Sequence, residues 1–416
     1  MADSKQQNQH KILVAVAGGG PAGLLTSILL SRIGVESIVV ETTIDPDTWS
    51  TKSYTLVLGD KGKGCLAEAG CLEEALASGN ERRFIYFYDS KTGDVKAMPK
   101  QTTGLGFTRP LLVQCLEKVA IECPRVTLKK GSGVSHVTTT DNGCEITLED
   151  GSILAASHVV GADGKWSSVR ESFPELSSQF TIETCPSYGV HMSISNIPKE
   201  FKTDGTYVIK PSSPESKFYI IASPRPESEE GMSISLVCYD EILIKYPWLA
   251  PPADLKTGEY RRGSWEYEYS ALPASLRSEG SLVDNLKKLF EEEFPMFYRA
   301  IKHDEEVFQS ARINRRVTWL KMNAEEGSYS TKDGKVTLIG DSAHSMTPSL
   351  GEGANTALES AVKLVNSIKA EMERKGEVIC SIKTISDAFT QYGRSRPSET
   401  RQLQESSAAR SMGSKH

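Results

Sequence analysis

The first ordered signal along the chain is an unbroken apolar run, Ile12-Leu13-Val14-Ala15-Val16-Ala17. A run of that length and texture matches a strand buried on both faces. It meets Gly18-Gly19-Gly20-Pro21-Ala22-Gly23, after which Leu24, Leu25, Ile28, Leu29 and Ile33 recur at helical spacing. Gly34 should stop that helix, because glycine readily takes the left-handed conformation that closes a last turn. A second strand, Ser37–Val40, ends on Glu41. This is a complete βαβ opening.

Tyr54–Leu58 then reads as extended and residues 63–77 as a helix. Strands are predicted at Phe84–Tyr88 and Val95–Met98, flanking a turn at Lys91-Thr92-Gly93-Asp94. The helix predicted over Pro110–Ile121 starts on a proline, whose missing N–H matters least in a first turn. Short strands follow at Val126–Leu128, Val134–Thr138 and Glu145–Leu148, and Ile153–Val160 is another buried strand. After about residue 176 the texture changes to alternation, with Val190, Met192 and Ile194 set against His191, Ser193 and Ser195. Thr206–Ile209, Phe218–Ala222 and Met232–Val237 repeat it. That pattern argues for an antiparallel or mixed sheet with one face less buried. Residues 282–302 read as helical, Val336–Ile339 restores the buried-strand texture, and a long helix is predicted from Gly353–Asn355 to about Arg374. Beyond Arg394 the chain is polar and shows no apolar periodicity. The expected organisation is one domain assembled from residues 1–80, 105–175 and 311–393, a second from 81–104 and 176–310, and a polar tail over 394–416.

Composition narrows the class. With 416 residues there is room for two domains. A net charge of −6 and no long basic run argue against nucleic-acid binding. No stretch approaches the ~18 consecutive apolar residues of a membrane span. Met1–His10 is neither an apolar signal segment nor an Arg-rich transit peptide, so the cytoplasm is the expected location. The Ser-Lys-His ending lacks the last residue of a peroxisomal address. Eight cysteines, from Cys65 to Cys380, form no Cys-x-x-Cys pair and no zinc spacing, and are expected to be reduced and mostly buried. The acidic stretch 223–231 is expected to be a surface loop.

Three segments carry chemistry. In Gly18-x-Gly20-x-x-Gly23, the first glycine permits a tight turn, the second lets a pyrophosphate approach the backbone, and the third lets helix and strand pack. Pro21 and Ala22 open a helix whose N-terminus offers free N–H groups and the positive end of its dipole. Glu41 stands near the offset expected of a carboxylate that binds ribose hydroxyls, which suits FAD or NAD better than a 2′-phosphate. A second cluster, Gly62-x-Gly64-x-x-Ala67, has no such carboxylate and reads as an ordinary helix start. One dinucleotide fold is therefore expected, with none reserved for NAD(P)H. The second segment is Gly161-Ala162-Asp163-Gly164-Lys165-Trp166-Ser167-Ser168-Val169-Arg170, a strand ending in a turn that projects a carboxylate. The third is Gly340-Asp341-Ser342-Ala343-His344, then Pro348, then Gly351-Glu352-Gly353-Ala354-Asn355. It again delivers an aspartate at a strand's carboxyl end, where open α/β sheets bind ligands. His344 lies inside this tight motif, and a structural hydrogen-bonding role is expected for it rather than acid–base work.

In this order and spacing the three segments resemble the group A flavin monooxygenases, the class of para-hydroxybenzoate hydroxylase, over residues 11 to 370. The resemblance implies an α/β fold: an FAD-binding, Rossmann-like domain of the glutathione-reductase type with an inserted mixed or antiparallel β-sheet substrate domain. It implies bound FAD, with NADPH or NADH and O₂ as co-substrates, and hydroxylation of a small aromatic molecule through a flavin C4a-hydroperoxide. It places Gly18, Gly20, Pro21, Ala22, Gly23 and Glu41 on the adenosine and pyrophosphate, with Asp163 and Gly164 near the pyrophosphate and Arg109 in contact with the flavin. Asp341 falls on the ribityl chain. Pro348 stands beside the flavin edge where oxygen is activated, and Gly351, Gly353, Ala354 and Asn355 at the pyrimidine end. Pro348, Gly351 and Asn355 form the catalytic set, and no protein nucleophile or metal is expected.

Within that class the chain is most similar to the kynurenine 3-monooxygenases. The similarity lies in Ser53-Tyr54-Thr55-Leu56, Lys61-Gly62-Lys63-Gly64, Arg82-Arg83, Phe107-Thr108-Arg109 and Arg394-Ser395-Arg396-Pro397. It makes Arg82 or Arg83 the holder of a substrate carboxylate, against the alternative of a solvated charge pair. Thr103 stands where those enzymes have an aromatic residue, and Arg401–Arg410 contains no tyrosine. Other aromatic acids, phenols or an isoprenoid to be epoxidised therefore stay open. So do a flavin dehydrogenase or reductase on the same scaffold, and a non-catalytic binding protein that kept the fold.

Overall fold

The computed structural model describes residues 12–45, 55–213, 215–226, 231–251 and 280–413. The expectations for Met1–His10, Ser53 and Tyr54, residues 227–230 and the Ser-Lys-His ending lie outside the described residues. The apolar runs at 12–17, 37–40 and 158–161 become β1 (Leu13–Ala17), β2 (Glu36–Glu41) and β10 (His158–Gly161), and β6 (Val126–Lys130) and β18 (Val336–Leu338) complete a five-stranded sheet. Its order is β18-β10-β1-β2-β6, and every pairing is parallel. Helices cover a parallel sheet on both faces, which is why these strands are apolar throughout. Here α1 (Pro21–Arg32), α4 (Arg109–Glu122) and α11 (Gly353–Lys375) supply much of the buried apolar cover. The strand order reverses between β1 and β10. Ligands bind at such a switch point, beyond the carboxyl ends of the strands.

A second, eight-stranded sheet has the order β16-β12-β15-β14-β13-β4-β5-β3. Its members are β3 (Thr55–Leu58), β4 (Asn80–Asp89), β5 (Val95–Thr108), β12 (Ser187–Ile194), β13 (Gly205–Lys210), β14 (Tyr219–Pro224), β15 (Met232–Tyr239) and β16 (Arg312–Ile313). All pairings are antiparallel except β13 with β4, so the sheet is mixed. The alternation seen in the sequence becomes its two faces. Val190, Met192, Ile194, Ile234 and Leu236 are buried against α7 (Leu282–Glu293), α8 (Pro295–Ile301) and α9 (Glu306–Gln309), while His191, Ser193, Ser233 and Ser235 are half-buried opposite. The residues read as one helix over 282–302 break at Phe294, because a residue before proline is pushed out of the helical region. The expected helix over 63–77 is likewise two, α2 (Asp60–Glu68) and α3 (Leu72–Ser78), parted at Gly70 with φ +64°. Two small sheets, β7 (Val134–Thr140) with β8 (Gly143–Leu148) and β9 (Ile153–Ala156), and β11 (Phe180–Thr184) with β17 (Thr318–Met322), flank the main ones. The strand expected over Ile153–Val160 is thus two, β9 and β10, in different sheets.

The segment 394–416, expected to be a polar tail, is corrected by the structure. Residues 394–411 form the second half of α12 (Ile382–Ser411), a 30-residue helix. Pro397 lies inside it and has no N–H to give the Gly393 carbonyl four residues back. The Tyr329 N–H takes that place, donating to Gly393 O at 2.9 Å. A tertiary hydrogen bond thus satisfies the carbonyl that the proline leaves open. The short helices α5 (Ser168–Glu171), α6 (Pro174–Ser177) and α10 (Asp341–His344) complete the set.

Candidate functional site

The three motifs meet at the switch point. Gly18 closes β1 with φ +103°, and a Cβ there would stand 2.4 Å from the Ala162 carbonyl oxygen. The glycine loop and the Gly161–Arg170 segment therefore touch through a position that tolerates no side chain. Gly20 differs. It caps α1 in an extended conformation, and the only atom near a Cβ placed on it is Arg109 Nη2 at 3.8 Å. Its open side is a cradle of bare backbone, bounded by a helix N-terminus and an arginine. Pro21 is the first helical residue, Ala22 is buried, and Gly23 packs directly on Gly18 and Val16. The Glu41 carboxylate accepts from the Gly19 N–H at 2.7 Å and the Thr43 N–H at 2.8 Å, so it also braces the loop.

On the other side of the cleft, Asp163 Oδ2 accepts from Val169 N at 3.1 Å, and Gly164 turns with φ +82°. Asp341 begins α10. It keeps solvent exposure although protein packs densely round it. Burial pushes its carboxyl above the ordinary range, and the charges of Lys165 and Arg109 oppose that. Lys165 was not singled out from the sequence. Its ammonium donates to the Thr318 carbonyl at 3.2 Å, lies 5.5 Å from the Trp166 ring, and is lowered in pKa chiefly by burial. Nothing in a polar loop residue could have marked it. Arg170 ties the second and third motifs together, donating to Ser342 O and Lys165 O, both at 2.9 Å.

Pro348 opens a single 3-10 turn that ends at Gly351 with φ +69°, and α11 follows from Gly353 with Ala354 in its first turn. Asn355 is buried, and its side chain is occupied. Oδ1 accepts from Gly59 N at 2.9 Å, while Nδ2 donates to Val57 O at 3.1 Å and Gly351 O at 3.3 Å. It clamps the β3–α2 junction to the start of α11. Its amide is thus committed to backbone groups at two helix N-termini. Of the two candidate substrate arginines, Arg82 is fully buried and donates to the Thr203 and Pro224 carbonyls. Arg83 is exposed and paired with Glu81. Neither arginine offers a free fork of donors: of the Arg82 nitrogens only the buried Nε lacks a partner, and Arg83 is committed to Glu81.

His344 accepts or donates at Ser360 Oγ, 2.7 Å away, deep in the core. Burial and the Arg396 charge push its pKa down to about 3, and burial pushes that of His158 down to about 4. Both rings are neutral in the fold. Their unfolded counterparts take up protons below about 6.5, so between that pH and the folded values the unfolded state binds more protons. Stability is therefore full above pH 6.5 and falls as pH drops. At pH 5 each ring removes about 2 kcal/mol, from 1.36 kcal/mol per unit. Urea midpoints at pH 7.5 and 5.0 check this; equal midpoints would mean that the rings are charged inside the fold.

Among the described residues no group of side chains could hold a metal ion, no helix is long and apolar enough to cross a membrane, and all eight cysteines are free. A family model described as "FAD binding domain" matches residues 11–243 and 287–379. The FAD-dependent monooxygenase verC1 of Penicillium polonicum is 24% identical over 402 residues, covering 92% of this chain and 44% of that protein. The kynurenine 3-monooxygenase of Dictyostelium discoideum is 23% identical over 363 residues, covering 85% and 69%. The chain spans about half the length of the first curated relatives it matches. A tetrameric form of 2-methyl-3-hydroxypyridine-5-carboxylic acid oxygenase superposes with a TM-score of 0.67 at 20% identity, over 97% of this chain and 91% of that one. The bare backbone at Gly20, beside a helix N-terminus and Arg109, leaves room for such a cofactor, and the match covers most of the sequence: the chain belongs to the FAD binding domain family.

Proposed function

We propose that this protein is an FAD-dependent monooxygenase that consumes NADPH or NADH and O₂ and hydroxylates a small aromatic molecule. The observation that carries the reading is the continuous path from the β18 end through Asp341 and the Pro348 turn into the N-terminus of α11, facing the Gly20 cradle and Arg109. Gly20 and the α1 N-terminus hold the pyrophosphate, Arg109 neutralises it, and Glu41 takes the ribose hydroxyls while bracing the loop. Asp163 and Gly164 shape the turn beside it, and Asp341 receives the ribityl hydroxyls. The α11 dipole sets a positive potential where negative charge would develop on the ring. Bound FAD supplies the electron and oxygen chemistry; the protein orients it and excludes water. The names of the relatives, kynurenine 3-monooxygenase among them, support oxygenation, and the pyridine-carboxylic acid oxygenase supports an aromatic substrate. The buried charge of Arg82 supplies a positive field to an anionic substrate rather than a free fork of donors.

The test is NADPH and NADH oxidation by the yellow protein with and without a panel of aromatic acids that includes kynurenine, counting H₂O₂ and oxygenated product. A compound that accelerates oxidation and yields product in step with the reductant carries the proposal. If no compound accelerates it and labelled O₂ enters no product, the dehydrogenase reading replaces it.

A further inference from the structure

The last four turns of α12 bury a stripe that is polar instead of apolar. Arg396, Thr400, Gln404, Ser407 and Ser411 are each at most 4% exposed. Their spacings of four, four, three and four place them on one helix face. An apolar stripe would hold the helix in place with loose register. A polar one holds only where each group meets its partner, since an unpaired buried polar group costs about 1–3 kcal/mol. Thr400 Oγ1 meets the Tyr329 hydroxyl at 2.7 Å. Gln404 Nε2 donates to the Leu320 carbonyl at 2.7 Å and lies 3.4 Å from that of Ser345, which also accepts from Leu320 N. One turn on, the Ser407 carbonyl accepts the hydroxyls of Thr347 and Ser349, both at 2.7 Å. Those two residues bracket Pro348.

The geometry points to Gln404 as a positioning residue for the Pro348 loop: its carboxamide anchors the loop at Ser345, and the helix turn it sets delivers the Ser407 carbonyl to the two hydroxyls beside Pro348. The inference rests on the proposed oxygenation at that loop. It assigns no contact between Gln404 and cofactor or substrate. The carboxamide is suited to this because it presents two N–H donors to two carbonyl oxygens. Methionine keeps the volume and loses both donors, and glutamate keeps the shape but turns an anion on two acceptors.

Gln404→Met is tested against Thr400→Val, which removes a bond equally buried in the same stripe but directed at Tyr329. Both variants should unfold at lower urea than the wild type and keep FAD affinity within about threefold, because the glycine loop lies elsewhere. Only Gln404→Met should change the visible circular dichroism of bound FAD. Only it should raise the H₂O₂ released per NADPH consumed, by about threefold or more, because a displaced loop misplaces the reacting groups. Should Gln404→Met fail to fold, the paired change Thr347→Val and Ser349→Ala removes the same restraint from the loop side and should give the same two changes. If Gln404→Met, or that pair in its place, leaves the flavin dichroism at the wild-type spectrum or moves it no differently from Thr400→Val, the positioning role is wrong. A wild type that shows no substrate-stimulated oxidation would instead remove the oxygenation reading, while the dichroism still decides whether Gln404 places the loop.

Discussion

Gly20→Val should yield a folded but colourless protein. At most glycines of this cleft a side chain would break the fold first. A Cβ on Gly23 would come 2.0 Å from the Gly18 carbonyl oxygen, and one on Gly18 would need both a left-handed backbone and space held by Ala162. Gly20 has neither problem. Its φ of −73° and ψ of 177° suit valine, and the nearest neighbour of a new Cβ, Arg109 Nη2, is 3.8 Å away. The added atoms would fill only the cradle beside the α1 N-terminus. A pyrophosphate would then be held off the backbone N–H groups that should bind it. The expected loss of FAD affinity is more than about 100-fold, or roughly 2.8 kcal/mol at 1.4 per decade. Far-ultraviolet dichroism and the urea midpoint of the FAD-free protein should stay near those of FAD-free wild type. Titration with FAD, followed by flavin fluorescence, measures the loss. Wild-type affinity in the variant would place the pyrophosphate somewhere else.

Arg396→Met should lower the stability of the chain by about 3 kcal/mol, the scale of breaking a buried ion pair from one side. Arg396 is 2% exposed and reaches four partners from α12. Its guanidinium donates to Glu359 at 2.7 Å and Glu399 at 2.6 Å, to Ser360 Oγ at 3.0 Å, and to Thr356 O at 3.4 Å. Methionine fills the space but leaves Ser360 and two carboxylates short of a donor. Lys61 and Lys363 remain beside Glu359 and Glu399 and limit the damage. Arg396→Lys should recover less than half of the loss, since one ammonium cannot reproduce a planar fork that serves two carboxylates and a hydroxyl. Urea denaturation of the three proteins at pH 7.5 gives the comparison. A lysine variant as stable as wild type would show that charge alone, without the fork, holds α12 to α11.

The segments that could be recognised in the sequence are those whose physics is local. The run 12–17, the glycines after it and Glu41 form one βαβ unit within about thirty residues, so apolar texture and turn chemistry identified both strand and cradle. The alternation at 189–195 named the two faces of β12 for the same reason. Two helix readings went astray because apolar spacing was followed past a local breaker, and two site readings because the partner lies far along the chain. Gly70 split a helix that apolar spacing had joined, and Pro295 did the same through the residue before it. For Asn355, the position beside the α11 N-terminus was visible. That its amide would be taken up by Val57 and Gly59, nearly three hundred residues earlier, was not. Arg82 was marked by its charge, whereas the carbonyls it donates to belong to Thr203, in the turn before β13, and Pro224, at the end of β14.

The cofactor fold could be read from the chain alone. A strand buried on both faces must be apolar, a pyrophosphate needs bare backbone at a helix end, and a ribose needs a carboxylate at the next strand's tip. Each requirement leaves its mark within a few residues. The second half of α12 took its form from contacts that no short window of the chain contains. Its buried face is polar and its middle holds a proline, so nothing local favours a packed helix there. The Tyr329 N–H supplies what Pro397 lacks, and Tyr329, Leu320, Ser345, Thr347 and Ser349 supply partners for the polar face. Those partners exist only once the chain has folded around them.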